Sequence, residues 1–254
     1  MRWSRGAARA AALVGLTRRQ VPPADSTVVV DAETGFTFGQ FITDNGIEYR
    51  IALPDPIPAN TPYDVVLQVA APHEIGWAGI SWGGSMTYSP LTVAWPNDKD
   101  VTVSSRYAFG YYVPPPFDGA TYTLLPKGTH VNDTHWQYTV KCSGCTTWGD
   151  EDTGYTTLDA TQQNALAFAY SVTPPEDPAS NISSFSIHDS IGHWYHDFGN
   201  IGNAEFDELV SKNSEGGSTG TTPPSTPTTT ATTTGTASTT VTPTPTGVEE
   251  SCES

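Results

Sequence analysis

The sequence predicts an all-β protein: an antiparallel β-sandwich followed by a disordered Thr/Pro-rich C-terminal tail. Composition points that way first, with 23 glycines, 21 prolines, 7 tryptophans and 11 tyrosines against only 15% charged residues. Short alternating segments come next. Phe36-Thr37-Phe38-Gly39-Gln40-Phe41, Val65-Val66-Leu67-Gln68-Val69 and Trp136-Gln137-Tyr138-Thr139-Val140 each place every second residue on one face. Between such segments lie breakers, namely Leu53-Pro54-Asp55-Pro56, Trp95-Pro96-Asn97-Asp98 and Val113-Pro114-Pro115-Pro116. Strands at this spacing belong to sandwiches rather than to parallel sheets. Helical signal is thin. Thr161–Tyr170 admits a turn or two, Ala204–Val210 reads as one short helix, and no repeat of solenoid or propeller period occurs.

Three stretches divide the chain. Residues 1–24 open on the basic Met1-Arg2-Trp3-Ser4-Arg5 and a short apolar run, Ala10–Leu16, which together resemble a secretory signal without a small-residue cleavage site. Residues 25–213 hold the strand pattern. Residues 214–254 form a linker, because Gly216 to Val248 carries no charge and is largely Thr, Pro, Ser and Gly, a composition unable to bury a core. The sequons Asn132-Asp133-Thr134 and Asn181-Ile182-Ser183 accord with a secreted, extracellular glycoprotein. No run reaches the ~18 apolar residues of a membrane span.

Charge excludes one class of partner. The formal net charge is −16, and five of the eleven basic residues lie in the first nineteen positions. The remainder holds six basic residues against 27 acidic ones, so phosphate neutralisation has no cluster of Lys and Arg to work with, and no nucleic-acid role is expected.

Three cysteines allow one intrachain disulfide. Cys142-Ser143-Gly144-Cys145 would pin a turn if bonded; a redox-active use lacks the surrounding βαβ pattern, zinc lacks a second pair, and covalent haem attachment lacks a His after Cys145. Cys252 is left over.

Candidate ligands are few. Met86 is the only methionine besides the initiator, and it sits in the glycine-led loop Gly83-Gly84-Ser85-Met86-Thr87-Tyr88. Thioethers fill gaps in apolar runs, whereas glycines here let backbone approach a large flat group; packing and metal ligation both stay open. Of six histidines, His188, His193 and His196 cluster late in the chain. A surface role and a metal role stay open for them too, with His188 set apart by its loop context.

Taken together, Gly76-Trp77-Ala78-Gly79-Ile80-Ser81-Trp82-Gly83-Gly84-Ser85-Met86, Leu91–Pro96, Val103-Ser104-Ser105-Arg106, Lys141–Trp148 and His188 with Asp189, Gly192 and Asp197 resemble the cytochrome domain of fungal cellobiose dehydrogenase. The resemblance runs from Asp31 to Val210. It implies an immunoglobulin-like sandwich, a b-type haem held by Met86 and His188, a Cys142–Cys145 bridge, and one-electron transfer. His193, five residues from His188, is the alternative imidazole; His188 is preferred because Asp189 and Gly192 match the family pattern. Trp82 and Tyr88, with Trp77 and Ile80, are expected near the haem b surface. A thioether opposite an imidazole raises the potential and leaves no open iron position.

The same resemblance implies a flavin dehydrogenase domain, in cis or in trans, as electron donor and a copper polysaccharide monooxygenase as acceptor. No G-x-G-x-x-G fingerprint occurs in these residues, so the chain is expected not to be an enzyme by itself. The rival expectation is a haem-free carbohydrate-binding sandwich using its tryptophans as sugar platforms, since one fold hosts both.

Overall fold

The computed structural model describes residues 24–57, 61–152 and 154–215. The signal-like N-terminus up to residue 23, the linker from residue 216 and Cys252 lie outside the described residues.

Among the described residues, fifteen strands and one helix follow in chain order: β1 (Thr27–Val30), β2 (Thr37–Ile42), β3 (Glu48–Pro54), β4 (Val65–Pro72), β5 (Trp77–Ser81), β6 (Pro90–Asn97), β7 (Asp100–Tyr107), β8 (Thr121–Leu124), β9 (His130–Val131), β10 (His135–Ser143), β11 (Thr147–Asp150), β12 (Gly154–Thr157), β13 (Gln163–Ser171), β14 (Ser190–Asp197), β15 (Gly202–Asn203) and α1 (Phe206–Ser214). One sheet runs β1-β2-β3-β4-β10-β8, with β15 on β3 and β9 on β10; the other is five-stranded, β14-β13-β5-β6-β7; β11 and β12 form a separate hairpin. Every pairing between strands is antiparallel except β15 on β3.

Alternation explains how the layers close. Tyr49, Ile51, Val65, Leu67, Val69, Trp136, Tyr138 and Val140 from the first sheet meet Ala78, Ile80, Ala94, Leu166 and Trp194 from the second in one buried cluster. This is the expected β-sandwich, each sheet covering the apolar face of the other. The Cys142–Cys145 disulfide forms, wholly buried, at the turn from β10 to β11.

The helical turn expected in Thr161–Tyr170 is instead the long strand β13. Its three alanines raise helix propensity, but Asn164 and Leu166 alternate with Ala165, Ala167 and Ala169, and pairing on both sides with β5 and β14 overrides local preference. The short helix near Ala204–Val210 forms as α1, from Phe206. Phe206 packs on Phe36 with ring centroids 5.8 Å apart, and Asn213 Nδ2 donates to the carbonyls of Thr34 (2.8 Å) and Leu209 (2.7 Å).

One close approach deserves a test. A Cβ at Gly39 in β2 would lie 2.4 Å from Nε2 of the fully buried His196 in β14. Gly39→Ala is therefore expected to destabilise the fold by about 1–3 kcal/mol through overpacking, read as a lower urea midpoint with unchanged slope. An unchanged midpoint would show that the two sheets yield here.

Candidate haem-binding cavity

The five-stranded sheet has a second face, turned away from the core, and small residues dominate part of it. Gly79 and Ser81 on β5 and Ala167 and Ala169 on β13 leave space where larger side chains would stand, and a cavity of about 560 Å³ opens there. That volume lies within the range of ligand pockets. Trp77, Leu91, Val93 and Phe185 form its apolar floor and side, packed into a cluster that Met86 and Ala169 join. Tyr111, Tyr112 and Val113 stand at its exposed margin.

Met86 and His188 both line this cavity. Register places their loops at its opposite ends. Ser81 pairs with Ala167 and Trp77 with Ser171, so the loop leaving Ser81 carries Met86 at one end of the floor, while the loop leaving Ser171 carries His188 at the other. The half-buried pair thus approaches one space from two directions.

Each loop is fixed by polar contacts. In the Met86 loop, Ser81 Oγ donates to the Ser85 carbonyl at 2.5 Å, Ser89 Oγ reaches the same oxygen at 3.0 Å, and Trp148 Nε1 donates to the Tyr88 carbonyl at 3.0 Å. Gly84 adopts φ +70°, where a Cβ would meet the Ala165 carbonyl oxygen at 2.9 Å, so only glycine suits this turn. In the His188 loop, Asp189 Oδ2 accepts from Ser171 Oγ and from the Val172 amide, each at 2.8 Å, and the Asp189 amide donates to the Tyr170 carbonyl at 2.8 Å. The Val172 amide, then the Ser171 hydroxyl, hold the Asp189 carboxyl below its ordinary value. Trp77 Nε1 donates to Ser186 Oγ at 3.3 Å, tying the same loop to the floor.

The expected neighbours divide. Trp77 lines the cavity from the outer face of β5, Ile80 borders it while packing in the main core, and Trp82 and Tyr88 do not line it. Trp82 is wholly buried on the other side of the sheet, donating through Nε1 to Thr92 Oγ1 at 2.9 Å. Parity carries the signal: Trp82 is an odd number of residues from Trp77, which places it on the opposite face. Tyr88, in the left-handed region at φ +62°, turns its ring to solvent beside Phe109. Sequence reasoning missed Phe168, Phe185, Tyr111 and Tyr112, which arrive from distant loops and strands. His193, on β14 opposite Ala167, also lines the cavity, whereas His196 faces inward and is buried.

A bound b-type haem needs a flat apolar slot with a ligand on each side, and the donor set here fits: a soft thioether, an imidazole, and apolar walls between them. The model for the cytochrome domain of cellobiose dehydrogenase matches residues 29–208. The chain belongs to this family.

Known relatives agree. The chain is 30% identical over 203 residues to a pyrroloquinoline quinone-dependent pyranose dehydrogenase of Coprinopsis cinerea, covering 79% of this chain and 27% of that protein. It thus spans about a quarter of that relative's length. The crystal structure of the cytochrome b domain of the Coprinopsis cinerea pyranose dehydrogenase superposes with a TM-score of 0.67 at 25% identity, covering 75% of this chain and 96% of that one. The cytochrome domain of Myriococcum thermophilum cellobiose dehydrogenase shares the fold, with a TM-score of 0.66 at 23% identity over 76% and 98% of the two chains. Cytochrome b domains of this family bind haem b, and the part of such proteins matched here is the electron-transfer module rather than a catalytic dehydrogenase domain.

The sugar-platform alternative finds no support in the tryptophans. Trp77, Trp82, Trp95, Trp136, Trp148 and Trp194 are all at most 9% exposed, so none of the described ones offers a surface ring. No helix among the described residues is long and apolar enough to cross a membrane.

Proposed function

We propose that this cytochrome domain is a secreted one-electron carrier that holds haem b in the outer-face cavity with Met86 and His188 as axial ligands. The observation that carries the proposal is the convergence of those two side chains, from loops at opposite ends of β5 and β13, on one apolar space. Held there by Met86 and His188, a haem would supply an Fe(III)/Fe(II) couple for one-electron exchange. The protein's own part is to exclude water and hold two ligands rigidly. Trp77, Leu91, Val93 and Phe185 provide the dry wall, and the hydrogen bonds on Ser85, Tyr88 and Asp189 hold the Met86 and His188 loops in place.

The electron donor in this proposal is a dehydrogenase domain, flavin- or quinone-dependent, in cis or in trans, and the acceptor a copper polysaccharide monooxygenase. Support for the donor comes from the dehydrogenase that the relative's name records. Exposed Tyr111, Tyr112 and Ile187 at the cavity margin give a partner an apolar place to approach. Because the chain is strongly acidic, encounters should depend on ionic strength. Secretion accords with the sequons, whose Asn132 and Asn181 are both exposed.

Reconstitution tests this. The purified chain with haem is expected to show the sharp reduced-state bands of six-coordinate low-spin iron; a colourless protein would refute the proposal. Gly79→Leu should separate cavity from fold. A Cβ at Gly79 meets nothing closer than 3.4 Å, so the strand should persist by circular dichroism, while the larger side chain fills the space and lowers haem uptake by more than about tenfold, or ~1.4 kcal/mol. Undiminished uptake by Gly79→Leu would place the haem elsewhere.

A further inference from the structure

Arg106, on β7, is 2% exposed and faces no carboxylate: the ion pairs among the described residues are Arg50–Glu48 and Lys141–Asp64. A buried charge is costly unless hydrogen-bonded throughout, and the guanidinium finds its partners in backbone. Nη1 donates to the Pro114 carbonyl at 2.9 Å; Nη2 donates to the carbonyls of Asn181 at 3.1 Å and Ser183 at 2.7 Å; Nε donates to Ser104 Oγ at 2.6 Å. Ser104 Oγ in turn donates to the Asn181 carbonyl at 2.5 Å.

Those carbonyls belong to two loops far apart in sequence, and both loops build the cavity. The loop after β7 contributes Tyr111 to Pro114; the loop before β14 contributes Phe185 to His188. The guanidinium carbon also lies 5.3 Å from the Phe185 ring centroid, and Phe185 is a cavity wall. A net positive charge therefore sits one phenyl ring behind the proposed haem site, with no anion to neutralise it.

We propose that Arg106 is a positioning residue with two separable effects: its fork clamps the two cavity loops together, fixing the approach of His188, and its uncompensated charge favours the reduced haem. This rests on the haem assignment above. A fixed cation stabilises whichever state holds the extra electron, and low-dielectric surroundings screen it weakly. Lysine would keep the charge but lacks the planar fork that reaches carbonyls on both loops.

Two variants separate clamp from charge. Arg106→Met is expected to loosen both loops and to reduce the preference for the reduced haem about tenfold, a fall of about 59 mV for one electron. Arg106→Lys is expected to loosen the loops while leaving the midpoint potential at the wild-type value. Loop tightness is read without haem, as hydrogen exchange of the amides at residues 109–113 and 183–188 in the apo chain, and with haem, as the rate of its loss to apomyoglobin. Wild-type exchange in Arg106→Lys would overturn the clamp. A wild-type potential in Arg106→Met, or an equal fall in both variants, would overturn the charge effect. If Arg106→Met does not fold, Arg106→Gln, which removes the charge but keeps polar donors, reads the potential in its place, and exchange in Arg106→Lys still decides the clamp. A wild-type chain that takes up no haem would defeat the electron-carrier proposal alone, since exchange in the apo chain still tests the clamp.

Discussion

His188→Ala should abolish stable haem retention, whereas Met86→Ala should keep the haem and open one iron position. The asymmetry follows from ligand chemistry. Imidazole is the stronger donor to both oxidation states, while the thioether is soft and favours reduced iron. Loss of groups that merely support a ligand weakens metal sites 10–100-fold, so loss of His188 itself should weaken retention by at least about 100-fold. Met86→Ala should give a five-coordinate reduced iron that binds carbon monoxide, together with a lower midpoint potential. Neither variant should disturb the fold, because both positions are half-buried at the cavity and outside the main core. Spectra in the reduced state, with and without carbon monoxide, read the outcome. If Met86→Ala stays six-coordinate with unaltered bands, position 86 is not a ligand. The cavity also holds His193, so retention of wild-type spectra by His188→Ala would shift the assignment to that imidazole.

Stability should fall as pH drops from 6.5 towards 3, and His196 supplies the reason. Its ring is wholly buried, Nδ1 accepts from Trp194 Nε1 at 3.0 Å, and Nε2 has no partner among the described residues. Burial pushes its pKa from 6.5 down to about 3, a fall that neighbouring Asp197 only partly opposes. Above pH 6.5 the imidazole is neutral in folded and unfolded chains alike, so its contribution is complete. Below 6.5 the unfolded chain takes up a proton that the folded chain refuses, and stability declines by about 1.4 kcal/mol per pH unit until the folded ring titrates near 3. Asp31 and Asp159, held below their ordinary value of 3.8 by hydrogen bonds that outweigh or outnumber the effect of burial, add to the loss only at the acid end. Urea unfolding at several pH values between 7.5 and 4 measures the slope. His196→Leu should be less stable at neutral pH, because Trp194 loses its acceptor, yet flatter with pH. A parallel slope in that variant would exonerate His196.

Several parts of the site were legible in the order of residues. Gly83 and Gly84 ahead of Met86 signalled a tight loop able to approach a flat ligand, and the structure gives that loop a left-handed Gly84 against the Ala165 carbonyl. The alternation at Phe36, Val65 and Trp136 announced strands because period two is a local property. Ala165, Ala167 and Ala169 misled because alanine suits helices in isolation; in the sheet the small size of Ala167 and Ala169 is what leaves room for the cavity. Trp82 was placed beside the haem by proximity in sequence to Met86, although strand parity turns it into the core.

The sequence by itself determined the strand periodicity, the turn holding Cys142 and Cys145 and the acidic balance, because each is written in neighbouring residues or in composition; the pairing of Met86 with His188 came from the family resemblance. Tertiary structure alone decided that Met86 and His188 share one cavity, that Arg106 bridges two loops and that His196 is held neutral. Those facts arise from pairing β5 with β13 and β13 with β14, contacts across up to about a hundred residues, and burial and electrostatics exist only once such pairings have removed water.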